Sequence, residues 1–177
     1  MALLEGEPLT AEFRERLPSI VRVEMNSSKT ELCHLMFHSG QPILICHERM
    51  VAKLEELEPG LHETFPVTIN IKNSGEVIEG EYFLTHVTEK VACFDEDRIV
   101  WSTLLDHKVG VAAAQDAHYR PLTPSEIFLK EAEVAGRHLW RGAPMVGARQ
   151  LFCSDELAEF VRAEGLRGWC LLACHLT

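Results

Sequence analysis

Residues 150–174 read QLFCSDELAEFVRAEGLRGWCLLAC, and this stretch decides the fold because it specifies a strand, a helix and a second strand in succession. Ser154 stands where an N-cap is wanted, and Asp155 and Glu156 follow in the first turn, where the helix dipole favours negative charge. Leu157, Phe160 and Val161 recur at helical spacing and predict the buried stripe. Gly165 then falls at the left-handed position that closes a helix, with Leu166 placed to pack back on Val161. The apolar run GWCLLAC that follows predicts a fully buried strand.

Upstream of this block, the sequence alternates short strands with two more helices. RHLWRG is a strand candidate, GAPMVGA a loop, and SEIFLKEAEV (125–134) fits helix and strand equally well. FPVTINI and GEYFLTHV, separated by Lys72-Asn73-Ser74-Gly75 and a few polar residues, predict a hairpin with alternating faces. EKVACFDED and RIVWS read as two further short strands, while residues 103–123 give no clear pattern. ERMVAKLEELE (48–58) is helical, with Met50, Val51, Leu54 and Leu57 on one stripe and Pro59-Gly60 ending it. ELCHLMFHSGQPILICHERM is strand-like at both ends, and SIVRVEM is a strand followed by an NSSK turn. TAEFRERL is a short helix capped by Thr10. The fold class is therefore α+β: a mainly antiparallel sheet packed with a few helices, closing strand–helix–strand. Residues 1–39 form an N-terminal arm with the first strands, and 40–177 form the α+β domain, together one compact unit.

Composition bounds the function. The chain has 177 residues, 17 Lys+Arg against 27 Asp+Glu, a net charge of -10 and 46 % apolar residues. That length and apolar content support a hydrophobic core without a metal or disulfide staple. The negative balance disfavours nucleic-acid and anionic-membrane partners, both of which need a basic face. No stretch reaches the roughly 18 apolar residues of a spanning helix. Glu5 and Glu7 precede any base near the N-terminus, which does not fit a secretory signal. Six cysteines without a CxxC pair predict free thiols in a reducing cytoplasm.

Charge is also segmental. Residues 48–97 hold twelve acids against four bases, a local charge of -8 out of -10. Between residues 98 and 150 the balance reverses, with seven bases against five acids. A concentrated negative surface steers a basic partner toward it and adds specificity.

Catalytic signals are weak beside this. Cys33, His34, His38, Cys46 and His47 have a loosely zinc-like ligand composition, so a zinc-dependent hydrolase is one alternative reading. Against it, His34 and His38 on one strand face would stand about 13 Å apart. There is no GxSxG elbow, no GxxxxGK and no GxGxxG. A non-enzymatic adaptor is the other alternative.

Three blocks carry a family likeness: PILICHERMVAKLEELEPGLHETFPVTI, then GEYFLTHVTEKVACFDED, then AGRHLWRG with QLFCSDELAEFVRAEGLRGW. Over residues 40–172 they resemble a bacterial immunity-protein family of polymorphic-toxin systems, long catalogued as a domain of unknown function. The family patterns are "plxSerlkxxLe", an "FPV" strand, "YyllNv…vdxxD" and "hxFR…vSdelkeaxeeaGltGl". His47 replaces the usual serine before the first helix of that block, which predicts weaker capping; Thr85-His86 replaces Asn, and Trp140 replaces Phe. The resemblance implies a cytoplasmic, non-enzymatic, cofactor-free protein that binds a cognate toxin, often a nuclease with a basic active-site face. Joined to the charge map, it marks Glu76, Glu79, Glu81, Asp95, Glu96 and Asp97 as the partner face, with Tyr82 as an aromatic anchor. The identity of the toxin and the oligomeric state stay open.

Overall fold

The computed structural model describes residues 8–24, 32–37, 43–95, 97–98, 127–143 and 151–177. Among these, the elements in chain order are α1 (Ala11–Glu15), β1 (Ile20–Val23), β2 (Leu35–Phe37), β3 (Leu44–His47), α2 (Glu48–Leu57), β4 (Glu63–Ile71), β5 (Val77–His86), β6 (Lys90–Val91), β7 (Phe128–Leu129), α3 (Glu131–Val134), β8 (Leu139–Gly142), β9 (Leu151–Cys153), α4 (Asp155–Ala163) and β10 (His175–Leu176). The NSSK turn, His38, the Ser-Gly-Gln-Pro connection, Glu96, residues 103–123 and most of RIVWS and GAPMVGA lie outside the described residues.

A five-stranded sheet in the order β1-β4-β5-β3-β2 forms the centre, antiparallel except where β1 runs parallel to β4. β1 and β2, from the expected N-terminal arm, are its two edge strands. Smaller sheets are β6-β8-β9 and the parallel pair β10-β7. The chain is thus α+β, as its pattern predicts.

Period-two alternation builds this sheet. In β4, Val67, Ile69 and Ile71 point inward, while Thr64 and Pro66 are exposed and Thr68 and Asn70 half-buried. β3 is buried on both faces, and its residues divide between two cores. Leu44 and Cys46 join Met50 and Leu54 of α2 and Leu157 and Val161 of α4. Ile43 and Ile45 join Val21, Val67, Ile69, Tyr82 and Leu84, partly covered by Phe13 and Leu17. A third cluster, with Val91, Phe94, Trp140 and Phe152, holds the β6-β8-β9 end.

Helix termini follow the sequence signals. Thr10 Oγ1 accepts the Phe13 N–H, and Ser154 Oγ accepts the Leu157 N–H at 3.2 Å. His47 caps α2 in the place of serine: its Nδ1 accepts the Arg49 N–H at 3.3 Å. At the end of α4, Leu166 N–H donates to Val161 and Gly165 N–H to Arg162, the paired bonds of a Schellman closure. Ser154→Ala should cost about 1 kcal/mol of stability. A urea midpoint indistinguishable from wild type would refute that role for the cap.

Two segments differ from expectation. SEIFLKEAEV is both things in turn, since β7 ends at Leu129 and α3 starts at Glu131. GWCLLAC is not a buried strand: Cys170 is exposed, Leu172 is 61 % exposed, and the closing strand is β10, at His175–Leu176. Trp169 and Leu171 do pack on the first core, so the run is half-buried rather than buried. An apolar run reports affinity for a core, not the presence of a neighbouring strand, and no described strand pairs with these residues.

Candidate functional site

Sorting the acids of residues 48–97 by what they touch separates structure from surface. Glu58 is buried at 8 % exposure, where its carboxylate accepts the His138 N–H at 2.7 Å, the Leu139 N–H at 3.2 Å and His62 Nε2 at 2.8 Å. Burial acts to raise its pKa, but the bonds from His62 and the His138 backbone outweigh it and hold the carboxyl below its ordinary range. Glu63 accepts the Leu9 N–H and pairs with Arg14, and Glu89 pairs with Arg137. Glu55 accepts the Gly60 N–H, and Glu56 lies 2.8 Å from Lys53. Part of the -8 is therefore spent inside the fold.

Glu76, Glu79 and Glu81 are different. All three are exposed, on β5 or one residue ahead of it. The register explains why. Val67 faces Tyr82 and Ile69 faces Ile78, so Glu79-Gly80-Glu81 stand opposite the single residue Thr68. Three residues against one make a wide bulge, which lifts this segment off the ladder. Gly80 sits at φ +79°, a conformation that residues with side chains seldom adopt. One hint of this is readable in the chain, a glycine between two glutamates inside a strand pattern.

The other predicted positions are not grouped with these. Asp95 is half-buried, accepts the Asp97 N–H at 3.2 Å and lies 3.6 Å from Arg98; Asp97 is exposed. Both follow β6, and Asp95 N–H donates to Phe128 beside β7, outside the five-stranded sheet. Tyr82, expected as an exposed anchor, is 4 % exposed and belongs to the second core. Its ring meets that of His47 edge-on at 5.3 Å, and burial, then the Glu81 charge, push its hydroxyl up to about 12. It floors the surface beneath Glu81 rather than projecting from it.

Of the zinc-like cluster, the structure joins His34 and His47, whose rings lie 5.3 Å apart. Both rings already serve the backbone, since His34 Nδ1 accepts the Arg167 N–H and His47 Nδ1 accepts that of Arg49. Cys46 points into the first core, where burial drives its thiol up to about 12, unsuited to a thiolate ligand at neutral pH. Cys153 is likewise pushed up to about 11 by burial. Among the described residues no group of three or more His, Cys, Asp or Glu could hold a metal ion. No described helix is long and apolar enough to cross a membrane.

Comparison with known proteins bears on the whole of this surface. A family model described as an immunity protein family, Imm11, fits residues 3–175, nearly the whole chain. No curated protein and no solved structure matches it.

Proposed function

The chain belongs to the Imm11 immunity protein family, and from that premise we propose that it binds a cognate protein toxin of a polymorphic-toxin system and blocks it without catalysis. The contact surface is acidic and the toxin face basic, as a nuclease active site would be. The observation that carries this reading is the exposure of Glu76, Glu79 and Glu81 without close ion pairing to Lys or Arg among the described residues. Within salt-bridge range they have one described partner, His47, whose Nε2 lies 3.7 Å from Glu81. Asp97 adds a further exposed carboxylate, and Asp95 a half-buried one. Glu96 lies between them, outside the described residues. Carboxylates held at a surface attract cations from a distance and lose little desolvation energy until contact. Protection takes place in the cytoplasm of the producing cell.

The test is growth rescue. Cells that express the toxin domain encoded beside this chain should survive when the chain is co-expressed and die without it. Death in both cases would refute the proposal. Changing Glu76, Glu79 and Glu81 together to lysine should weaken toxin binding at least about tenfold, the scale of lost charge complementarity at an interface. Binding that also becomes less salt-dependent would identify the loss as electrostatic.

A further inference from the structure

The unpaired flank of β5 narrows this surface to one element. β3 ends at His47, which faces Tyr82, and the chain there turns into α2. Residues 77–81 of β5 run past that end, and no described strand pairs with them on that side. On the β4 side the ladder holds Val77 and Ile78, then skips to Tyr82 across the bulge. The segment is thus a free edge on one flank and lifted off its neighbour on the other. It carries Glu76 just before the strand, Glu79 and Glu81 on the bulge, and Val77, which is 52 % exposed. A Cβ added at Gly80 would meet nothing within 4 Å, so the glycine sets the backbone shape and leaves open space above it. Ile20, also exposed, lies on β1 in register with Thr68, two strand spacings or about 10 Å from the bulge. The nearby bases are Lys72, 3.5 Å from Glu24, and Arg22, in register with Asn70.

Edge protection alone explains part of this. Bulges and charges keep a free strand from pairing with other chains, and lysine serves that purpose at least as well as glutamate. It does not call for one sign of charge on all three positions, nor for an exposed valine among them.

On the toxin-binding reading given above, we infer that residues 76–81 of the β5 edge are the docking element, and that their occupant is a basic surface of the toxin whose Lys or Arg side chains straddle the Gly80 bulge. Val77 and Ile20 supply apolar contact at its margin. The partner does not add a strand, because only Val77 and Ile78 keep regular ladder geometry. Asp95 and Asp97 lie outside this element.

The probe is the purified toxin domain encoded beside the chain, titrated by calorimetry against wild type and three variants. The Glu79→Lys/Glu81→Lys variant should bind about tenfold or more weakly than wild type. The Glu15→Lys/Glu159→Lys variant makes the same charge change at exposed sites on α1 and α4 and should stay within about twofold. Glu79→Gln/Glu81→Gln, which keeps side-chain shape, should fall between, and it holds the test if the lysine pair fails to fold by thermal melt. Equal binding by wild type and both bulge variants overturns the inference and leaves the toxin-binding reading standing. Equal weakening by the control pair also overturns it, since only net charge would then matter. Self-association of the wild type that is lost in the bulge variants would assign the edge to a second copy of the chain and overturn it as well. If the wild type neither binds nor protects, the family-based reading fails together with the inference.

Discussion

Glu58→Ala is expected to lose about 3–5 kcal/mol of unfolding free energy, the range for breaking a buried pair by removing one partner. Glu58 closes α2 onto the start of β8: one carboxylate satisfies the His138 and Leu139 N–H groups and His62 at once. Alanine leaves those donors buried without an acceptor, and each orphan costs about 1–3 kcal/mol. For a chain of this length the melting midpoint should drop by roughly 10 °C. The pH dependence has a definite sign. The folded-state pKa of Glu58 is depressed, so its contribution is complete above the ordinary carboxylate value of 4.5 and drains away as pH falls through the lower folded value. Urea melts at neutral pH and in the acid range should therefore show a larger penalty for the variant at neutral pH. A variant that melts like wild type at neutral pH would remove Glu58 from the account of the fold.

Gly168→Ala is the second large effect. Gly168 has φ +124°, and a Cβ there would fall inside the Leu35 carbonyl oxygen. The close approach is purposeful: the Leu35 N–H donates to the Arg167 carbonyl at 3.0 Å, and the Arg167 N–H donates to His34 Nδ1 at 3.2 Å. Those bonds tie the segment after α4 to the edge strand β2. Backbone strain of this kind costs about 1–3 kcal/mol, and the clash must be relieved by lifting the segment away. Hydrogen exchange should show the Leu35 amide losing protection in the variant, alongside a destabilisation of at least about 2 kcal/mol. An unchanged Leu35 exchange rate would contradict the docking.

What the sequence makes legible here follows from the range of each signal. α2 and α4 are readable because caps, apolar stripe and closing residues all act within a few residues of one another. The β4–β5 hairpin is readable from alternation and the turn between its strands. Glu58 reads in the chain as one surface acid among twelve, because its partners His138 and Leu139 lie 80 and 81 positions away. Charge composition carries no signal of burial. GWCLLAC misleads for a related reason: some of its apolar side chains meet the core and others do not, and only a neighbouring strand, set by the whole topology, decides between the two. The candidate surface is legible as a set of acids but not as a shape. Register shows that Glu79 and Glu81 share a bulge, that Tyr82 faces inward beneath them, and that Asp95 sits apart.

Toxin inhibition tests the central claim most directly. The toxin domain encoded beside this chain, assayed for its own activity with rising amounts of the purified protein, should be silenced in a saturable manner, and the Glu79→Lys/Glu81→Lys variant should need about tenfold more protein to reach the same inhibition. Full toxin activity in the presence of excess wild-type protein would contradict the account.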